Sequence, residues 1–189
     1  MQRQNILNAA RRAFRERGFH AATMSLIAEY AGVSQGLAYR YFKNKDAITE
    51  AIAIEEQKRL QIFVSGLKDF DAIIAAVVNH VKSLGTDEHD PQKDTILEIE
   101  LNSEANRNPA IDAIIREWDS KDEALFKSCL THCYAQQGRT LSDKEIEAKI
   151  FLIRVIFDGF AVRSRMVPEI MNDSLLSELE RVFREIFEI

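Results

Sequence analysis

Three runs of the chain carry residue types whose spacing could do chemistry. Gly32-Val-Ser-Gln-Gly36 spells G-x-S-x-G, the elbow that lifts a nucleophilic serine out of a hydrolase sheet. Cys129, His132 and Cys133 spell C-x-x-H-C, three soft ligands that a helix would put on one face. Thr23-Met-Ser-Leu-Ile-Ala-Glu-Tyr-Ala-Gly-Val-Ser-Gln-Gly-Leu-Ala-Tyr-Arg-Tyr-Phe42 has the small residues, the turn glycine and the capping hydroxyls of a helix-turn-helix.

The first two weaken when their surroundings are read. A nucleophile elbow needs a buried strand before it, and no segment here alternates as a strand does. Ser34 reads better as a helix cap. A single helix rarely supplies a whole zinc site, and no fourth ligand is apparent near Cys129, His132 and Cys133. Helical i, i+4 thiols are also poorly placed to form a disulfide. Two small thiols lining a core or cavity is the plainer reading. His20, His80 and His89 have no ligand spacing, and G-x-G-x-x-G, P-loop and H-E-x-x-H patterns are absent. No catalytic residue, metal or cofactor is expected.

The elements around these runs are helical. Ile6, Leu7, Ala10 and Phe14 share one face of a first helix, stopped near Gly18. Thr23 caps a short helix whose Ile27, Ala28 and Ala31 face inward; Gly32 turns the chain, Val33 plugs the gap, and Ser34 caps a second. That second helix presents Gln35, Gly36, Leu37 and Arg40 outward and packs Ala38 and Phe42 inward. A long helix opens at Asn44 and runs to about Gly66. Others are marked by Ile73 to Leu84 before Gly85, by Ile96, Ile99 and Leu101, and by Ala110 to about Gln137 before Gly138. Pro91, Pro109 and Pro168 fall at element boundaries. Ser142 with Glu145 is a capping box for the next helix, and Asp173 or Ser174 caps the last. The fold class is all-α, with about nine helices: residues 1–46 a helix-turn-helix domain, residues 47–189 a second helical domain.

Charge divides the same way. The formal net charge of −5 over 189 residues argues against a nucleic-acid binder at first sight. Residues 1–50 hold eight Lys and Arg against four acids, so +4; the remainder holds 17 against 26, so −9. The basic part is the helix-turn-helix part. Met1-Gln2-Arg3-Gln4-Asn5 lacks the apolar stretch of a signal peptide, no run could span a bilayer, and only two Cys occur. A cytoplasmic protein with no membrane partner is expected.

Phe14-Arg-Glu-Arg-Gly-Phe19, Ala22-Thr-Met24, Ile27-Ala28, Ala31-Gly-Val-Ser34 and Tyr39-Arg-Tyr-Phe-Lys-Asn-Lys45 together resemble the N-terminal domain of the TetR (tetracycline-repressor) family over about residues 3–52. The resemblance implies a homodimeric transcriptional regulator, usually a repressor, that binds a palindromic double-stranded DNA operator and is released by a small-molecule effector. It carries Gln35, Gly36, Leu37 and Arg40 onto base-facing positions, where Arg40 suits a guanine edge, Gln35 an adenine and Leu37 a thymine methyl. Thr23, Ser34, Tyr39 and Tyr41 fall where relatives bond phosphates, and Lys45 opens the following helix, where its charge suits a phosphate. The alternative for Tyr39 and Tyr41 is simply to pack the domain. Arg11, Arg12 and Arg15 read as a solvated face. The chain begins almost at its first helix, so no basic arm for the minor groove is expected.

Lys149 to Arg165 is apolar nearly all round and must be covered on every side. The family's arrangement puts the last two helices of each subunit in a four-helix interface. That assigns Phe157, Gly159, Phe160, Leu175, Leu179, Val182, Phe183 and Ile186 to a dimer seam, or else to the core of one subunit. Phe63, Glu100, Leu101, Trp118, Phe126, Phe151 and Arg154 are candidates for an effector pocket. Arg154 with Asp158 would pair across a turn, bind an effector or seal the seam. Control by a protein partner without a ligand is the rival reading, and an all-α enzyme a remote one.

Overall fold

A computed structural model describes residues 1–84 and 95–189. Gly85, His89 and Pro91 lie outside the described residues, as does the expected stop of a helix at Gly85. Among the described residues there are nine α-helices, one 3-10 turn and no strand. In order they are α1 (Gln2–Ala21), α2 (Met24–Tyr30), α3 (Gln35–Tyr41), α4 (Lys45–Ser65), α5 (Phe70–Leu84), α6 (Thr95–Ala105), α7 (Pro109–Gln136), α8 (Asp143–Met166), the 3-10 turn Pro168–Ile170, and α9 (Asp173–Phe187). The all-α expectation holds, and with it the objection to a strand-based serine elbow.

Local chemistry explains the ends. Gly18 interrupts α1 with φ +76, a conformation only glycine takes without strain. Pro109 opens α7, where its missing N–H costs nothing, and Asn108 Oδ1 accepts from Ala110 N at 3.1 Å. The capping box at α8 is present: Ser142 Oγ accepts from Glu145 N, and Glu145 Oε2 accepts from Ser142 N at 2.7 Å. At α9 the cap is Asn172 instead of Asp173 or Ser174; its Oδ1 accepts from Ser174 N at 3.1 Å and Leu175 N at 3.2 Å. A carboxamide one residue upstream reaches two orphan N–H groups, which the hydroxyl of Ser174 could not.

The chain packs as two compact units. The first joins residues 1–59 to the described part of 90–121; the second joins the described part of 60–89 to 122–189. In the first, Ile6, Leu7, Phe14, Ile27, Ala38, Phe42, Ile48 and Ile52 make one core with Leu97, Leu101 and Ile111. Thus α6 and the first part of α7 belong by packing with the helix-turn-helix, α6 lying on α1. In the second, Phe70, Ile74, Val77 and Val81 of α5 meet Tyr134 of α7, Ile146 and Ile150 of α8, and Leu179, Phe183 and Phe187 of α9. Tyr134 Oη donates to Phe187 O at 3.1 Å, which satisfies the one polar atom of a ring that is 1% exposed.

Candidate nucleic-acid interface

Two hydroxyls and a glycine shape the reading face. Thr23 Oγ1 accepts from Leu26 N and starts α2; Ser34 Oγ accepts from Leu37 N and starts α3, each at 3.2 Å. Gly32, at φ +63, reverses the chain between them, and Val33 N donates back to Ala28 O at 3.0 Å. Asn5 Nδ2 donates to Ala31 O at 2.6 Å and latches the turn to α1. Small Ala28 and Ala38 are almost wholly buried, so the helices cross closely. Phe42 plugs the far end of α3 at 3% exposure.

With that inner face used up, α3 turns Gln35, Gly36, Tyr39 and Arg40 to solvent, and Leu37 is half-buried. Tyr39 is 49% exposed and Tyr41 44%, so neither phenol is packing the domain. Thr23 and Ser34 accept as caps yet keep their own O–H protons to donate. The exposed face therefore collects one guanidinium, a carboxamide, two phenols and two hydroxyls around a seven-residue helix, groups suited to base edges and phosphate oxygens.

Lys45 departs from expectation. Its Nζ donates to Phe19 O and to His20 O, and sits 4.4 Å from the centre of the Phe19 ring. Partial burial pushes the ammonium's pKa down. It satisfies carbonyls at the broken end of α1, where a cation suits the helix C-terminus. The basic side chain left exposed in that turn is Lys43. The Lys43-Asn-Lys45 run signalled a cation here without showing which of the two faces out. Arg11 is a second correction: it is 3% exposed and paired to Glu55 and Glu56 of α4, so it belongs to no solvated face. Arg12 is exposed, held by Glu16 at 2.8 Å and lying 4.6 Å from the Tyr30 ring centre.

The expected pocket residues fall in both units. Leu101 is core of the first unit at 1% exposure. Glu100, in that same unit, lies against Gly18: a Cβ added to the glycine would meet its Oε1 at 2.7 Å. Trp118 is also there, its indole N–H buried without a partner. In the second unit Phe126 packs on the core and Arg154 is half-buried, whereas Phe63 and Phe151 are 52% and 66% exposed. That unit does hold a cleft of about 270 Å³, lined by Asp71, Ile74, Ala75, Val78, Asn79, Glu180 and Arg184, none of them anticipated. Arg184 bridges its walls, reaching Asp71 at 2.9 Å and Glu180 at 3.1 Å.

Of the expected seam, Leu179 and Phe183 are core residues of their own chain, 5% and 0% exposed. Phe157, Phe160 and Ile186 pack partly against that core, Leu175 and Val182 are half-buried, and Gly159 is exposed. The apolar surface of α8 that stays uncovered is instead Phe151, Leu152, Val155, Val162 and Met166. Helical spacing hid this division, because α8 is apolar on both faces. Cys133 is buried and Cys129 half-buried, and burial pushes the Cys133 thiol up to about 12. His132 points elsewhere, 3.0 Å from Gln136. Among the described residues no three His, Cys, Asp or Glu converge as metal ligands, and no helix is long and apolar enough to cross a membrane.

An all-α chain that presents a capped, solvent-facing second helix after a glycine turn is a helix-turn-helix protein. Comparison with known proteins narrows the class. The family model of bacterial regulatory proteins, tetR family, matches residues 6–52. The HTH-type transcriptional regulator UidR of Escherichia coli (strain K12) is 32% identical over 118 residues, 60% of this chain and 57% of UidR. The chain thus matches only a little over half the length of that relative. Among solved structures, Salmonella enterica GusR superposes with a TM-score of 0.81 at 22% identity, covering 100% of this chain and 96% of GusR. FadR from Bacillus subtilis, solved in complex with stearoyl-CoA, superposes at 0.71 with 20% identity, covering 98% and 95%. Residues 6–52 are therefore similar to the bacterial regulatory proteins of the tetR family.

Proposed function

We propose that this chain is a homodimeric transcriptional repressor that binds a palindromic operator and leaves it when a small effector binds the second helical domain. The observation that carries the reading is the α3 face: Gln35, Gly36, Tyr39 and Arg40 exposed on a helix whose other side is spent on the core. Arg40 and Gln35 would read bases; Thr23, Ser34, Tyr39 and Tyr41 would hold phosphates. Lys43 takes the phosphate role first given to Lys45. Residues 1–46 act as the reading head and residues 47–189 as the ligand-binding and dimerisation part. Two copies are needed because reading helices that enter successive major grooves stand about 34 Å apart. The uncovered α8 stripe supports a seam with a second copy, with Gly159 at its centre. The stearoyl-CoA complex of FadR supports a ligand-responsive second domain, without naming the ligand here. An effector releases DNA only if it prefers the conformation with the wrong helix spacing. Helix α4, continuous from Lys45 to Ser65, is one covalent link through which such a change would travel, and α7 is another. On this reading the chain acts by binding DNA and not as an enzyme, and a protein that acts on a bacterial chromosome works in the cytoplasm.

A gel shift decides the central claim. The probe is the duplex recovered by the protein from a random-sequence pool, run beside Arg40→Ala. Wild type should bind at low salt and recover an inverted repeat, and Arg40→Ala should bind about tenfold or more weakly, the value of a good base contact. Failure of the wild type to recover any duplex sinks the proposal; recovery of a single asymmetric site sinks the dimer.

A further inference from the structure

Along α1 the buried face reads Ile6, Leu7, Ala10, Ala13 and Phe14, and in the middle of it sits Arg11, 3% exposed. Its Nη2 lies 3.2 Å from Glu55, its Nη1 donates to Glu56, and its Nε is buried without a partner. From the same helix Arg3 reaches Glu55 at 3.8 Å, and Gln4 Nε2 donates to it at 3.3 Å. Stability does not ask for this arrangement, because apolar residues of similar volume often hold a core as well as a buried ion pair does, or better. The place of the two acids supplies a reason. Helix α4 is anchored in the first core by Ile48, Ala51 and Ile52, and from Ile54 to Phe63 none of its residues is buried. Glu55 and Glu56 thus stand where apolar anchoring of α4 ends, just before the chain passes into the second unit at Leu60. In that stretch charged and polar groups tie α4 to α1.

We infer that Arg11 is a positioning residue for operator spacing: its buried fork on Glu55 and Glu56 fixes the direction in which α4 leaves the first unit, and through it the separation at which two copies read their half-sites. This rests on the proposed reading of the chain as a dimer on an inverted repeat. Apolar contact is non-directional and tolerates sliding. A planar guanidinium bonded to two carboxylates holds one orientation. Arg59, one turn further along α4, holds Glu56 at 2.7 Å and keeps the acids in place. The lever beyond the clamp is long enough to matter. At about 1.5 Å of rise per residue, Ser65 stands roughly 15 Å beyond Glu55. A tilt of about 10° at the clamp would carry that end about 2–3 Å sideways, close to the roughly 3.4 Å rise of one base pair.

The test uses the duplex that the wild type selects from a random pool, the same duplex with its half-sites moved together or apart by one base pair, and a duplex with one half-site. A one-base-pair move turns one half-site by about 34° against the other. Wild type should bind the moved probes about tenfold or more weakly, the value of a good base contact. Arg11→Met with Glu55→Gln and Glu56→Gln removes the clamp without stranding a buried charge. That triple variant should bind all three spacings within about threefold, because a freed α4 lets both reading helices follow the half-sites. It should bind the single half-site within about twofold of wild type, since α3 is distant and untouched. Glu56→Gln alone, which leaves Arg11 paired with Glu55, should fall between the two, and decides by the same comparison where the triple variant does not fold. A variant that discriminates among spacings as sharply as wild type overturns the inference and leaves the DNA-binding reading standing. So does weakened binding of the single half-site, since Arg11 would then serve the reading head itself. A wild type indifferent to spacing overturns it too. If the wild type selects no duplex, or a single asymmetric site, the reading beneath has failed and this inference falls with it.

Discussion

Replacing Arg11 with Met should unfold the first unit more easily, and the size of the effect follows from what the guanidinium touches. Arg11 is 3% exposed; its Nη2 lies 3.2 Å from Glu55, and its Nη1 donates to Glu56. The two carboxylates keep 19% and 18% of their side-chain surface, and Arg59 backs them at 2.7 Å from Glu56 and 4.0 Å from Glu55. Removing one partner of a buried pair costs about 3–5 kcal/mol, because the charge left behind stays desolvated. Partial exposure of both acids and the remaining Arg59 pull the cost to the low end of that range. Arg11 Nε is buried without a partner, and losing it returns about 1 kcal/mol. Met retains the apolar stem, so packing changes little. The net loss is about 2 kcal/mol, or about 4–8 °C in a chain of this length. Urea unfolding followed by circular dichroism reads it directly. Adding Glu55→Gln and Glu56→Gln to Arg11→Met should recover part of the loss by removing the stranded charges. A loss below about 0.5 kcal/mol, the scale of a surface substitution, would refute the reasoning; so would a triple variant no more stable than Arg11→Met alone.

Three other outcomes follow from the geometry. Gly18→Ala should destabilise by about 1–3 kcal/mol, because φ +76 with ψ 159 is a conformation open essentially to glycine alone, with a further loss from the Cβ pressed on Glu100; Glu100→Ala added to it should relieve only the second part in a thermal melt. Glu188 is held below the ordinary carboxylate value of 4.5 by hydrogen bonds from Lys149 and Arg139. Its folded pKa lies under its unfolded one, so its stabilisation is present at neutral pH and lost as pH falls through the lowered value. Glu188→Gln should therefore flatten the acid side of the melting profile below about pH 5, and an unchanged acid slope counts against that role. Val155→Glu places a charge on the uncovered α8 stripe, at a residue 50% exposed in the single chain; sedimentation should show a monomer that still folds, and an unaltered dimer would move the seam elsewhere.

The broken end of α1 shows where reading by spacing stopped. Gly18 marks it in the sequence, but the sequence could not show that Lys45 is drawn in to bond the carbonyls exposed there. Nor could it show that α6 lies on α1, bringing Glu100 against the glycine. Both contacts join residues more than twenty positions apart, and no periodicity within one helix encodes them. Asn172 was missed as the cap of α9 for a simpler reason: neighbouring Asp173 and Ser174 are equally good caps, and only the backbone angles select among the three.

What the sequence determined by itself is what local chemistry enforces. Capping hydroxyls at Thr23 and Ser34, a glycine at the turn, small residues at the crossing and apolar residues every three or four positions set the helices and the reading face of α3. The tertiary structure decided which of two equally apolar faces is covered. On α8, Ile146 and Ile150 went inward while Phe151, Val155 and Met166 stayed outside, and Leu101 was absorbed into the first core. Hydrophobic burial is non-directional and counts only area removed from water, so a helix that is apolar all round carries no local instruction about which side to present. That choice belongs to the neighbours it meets.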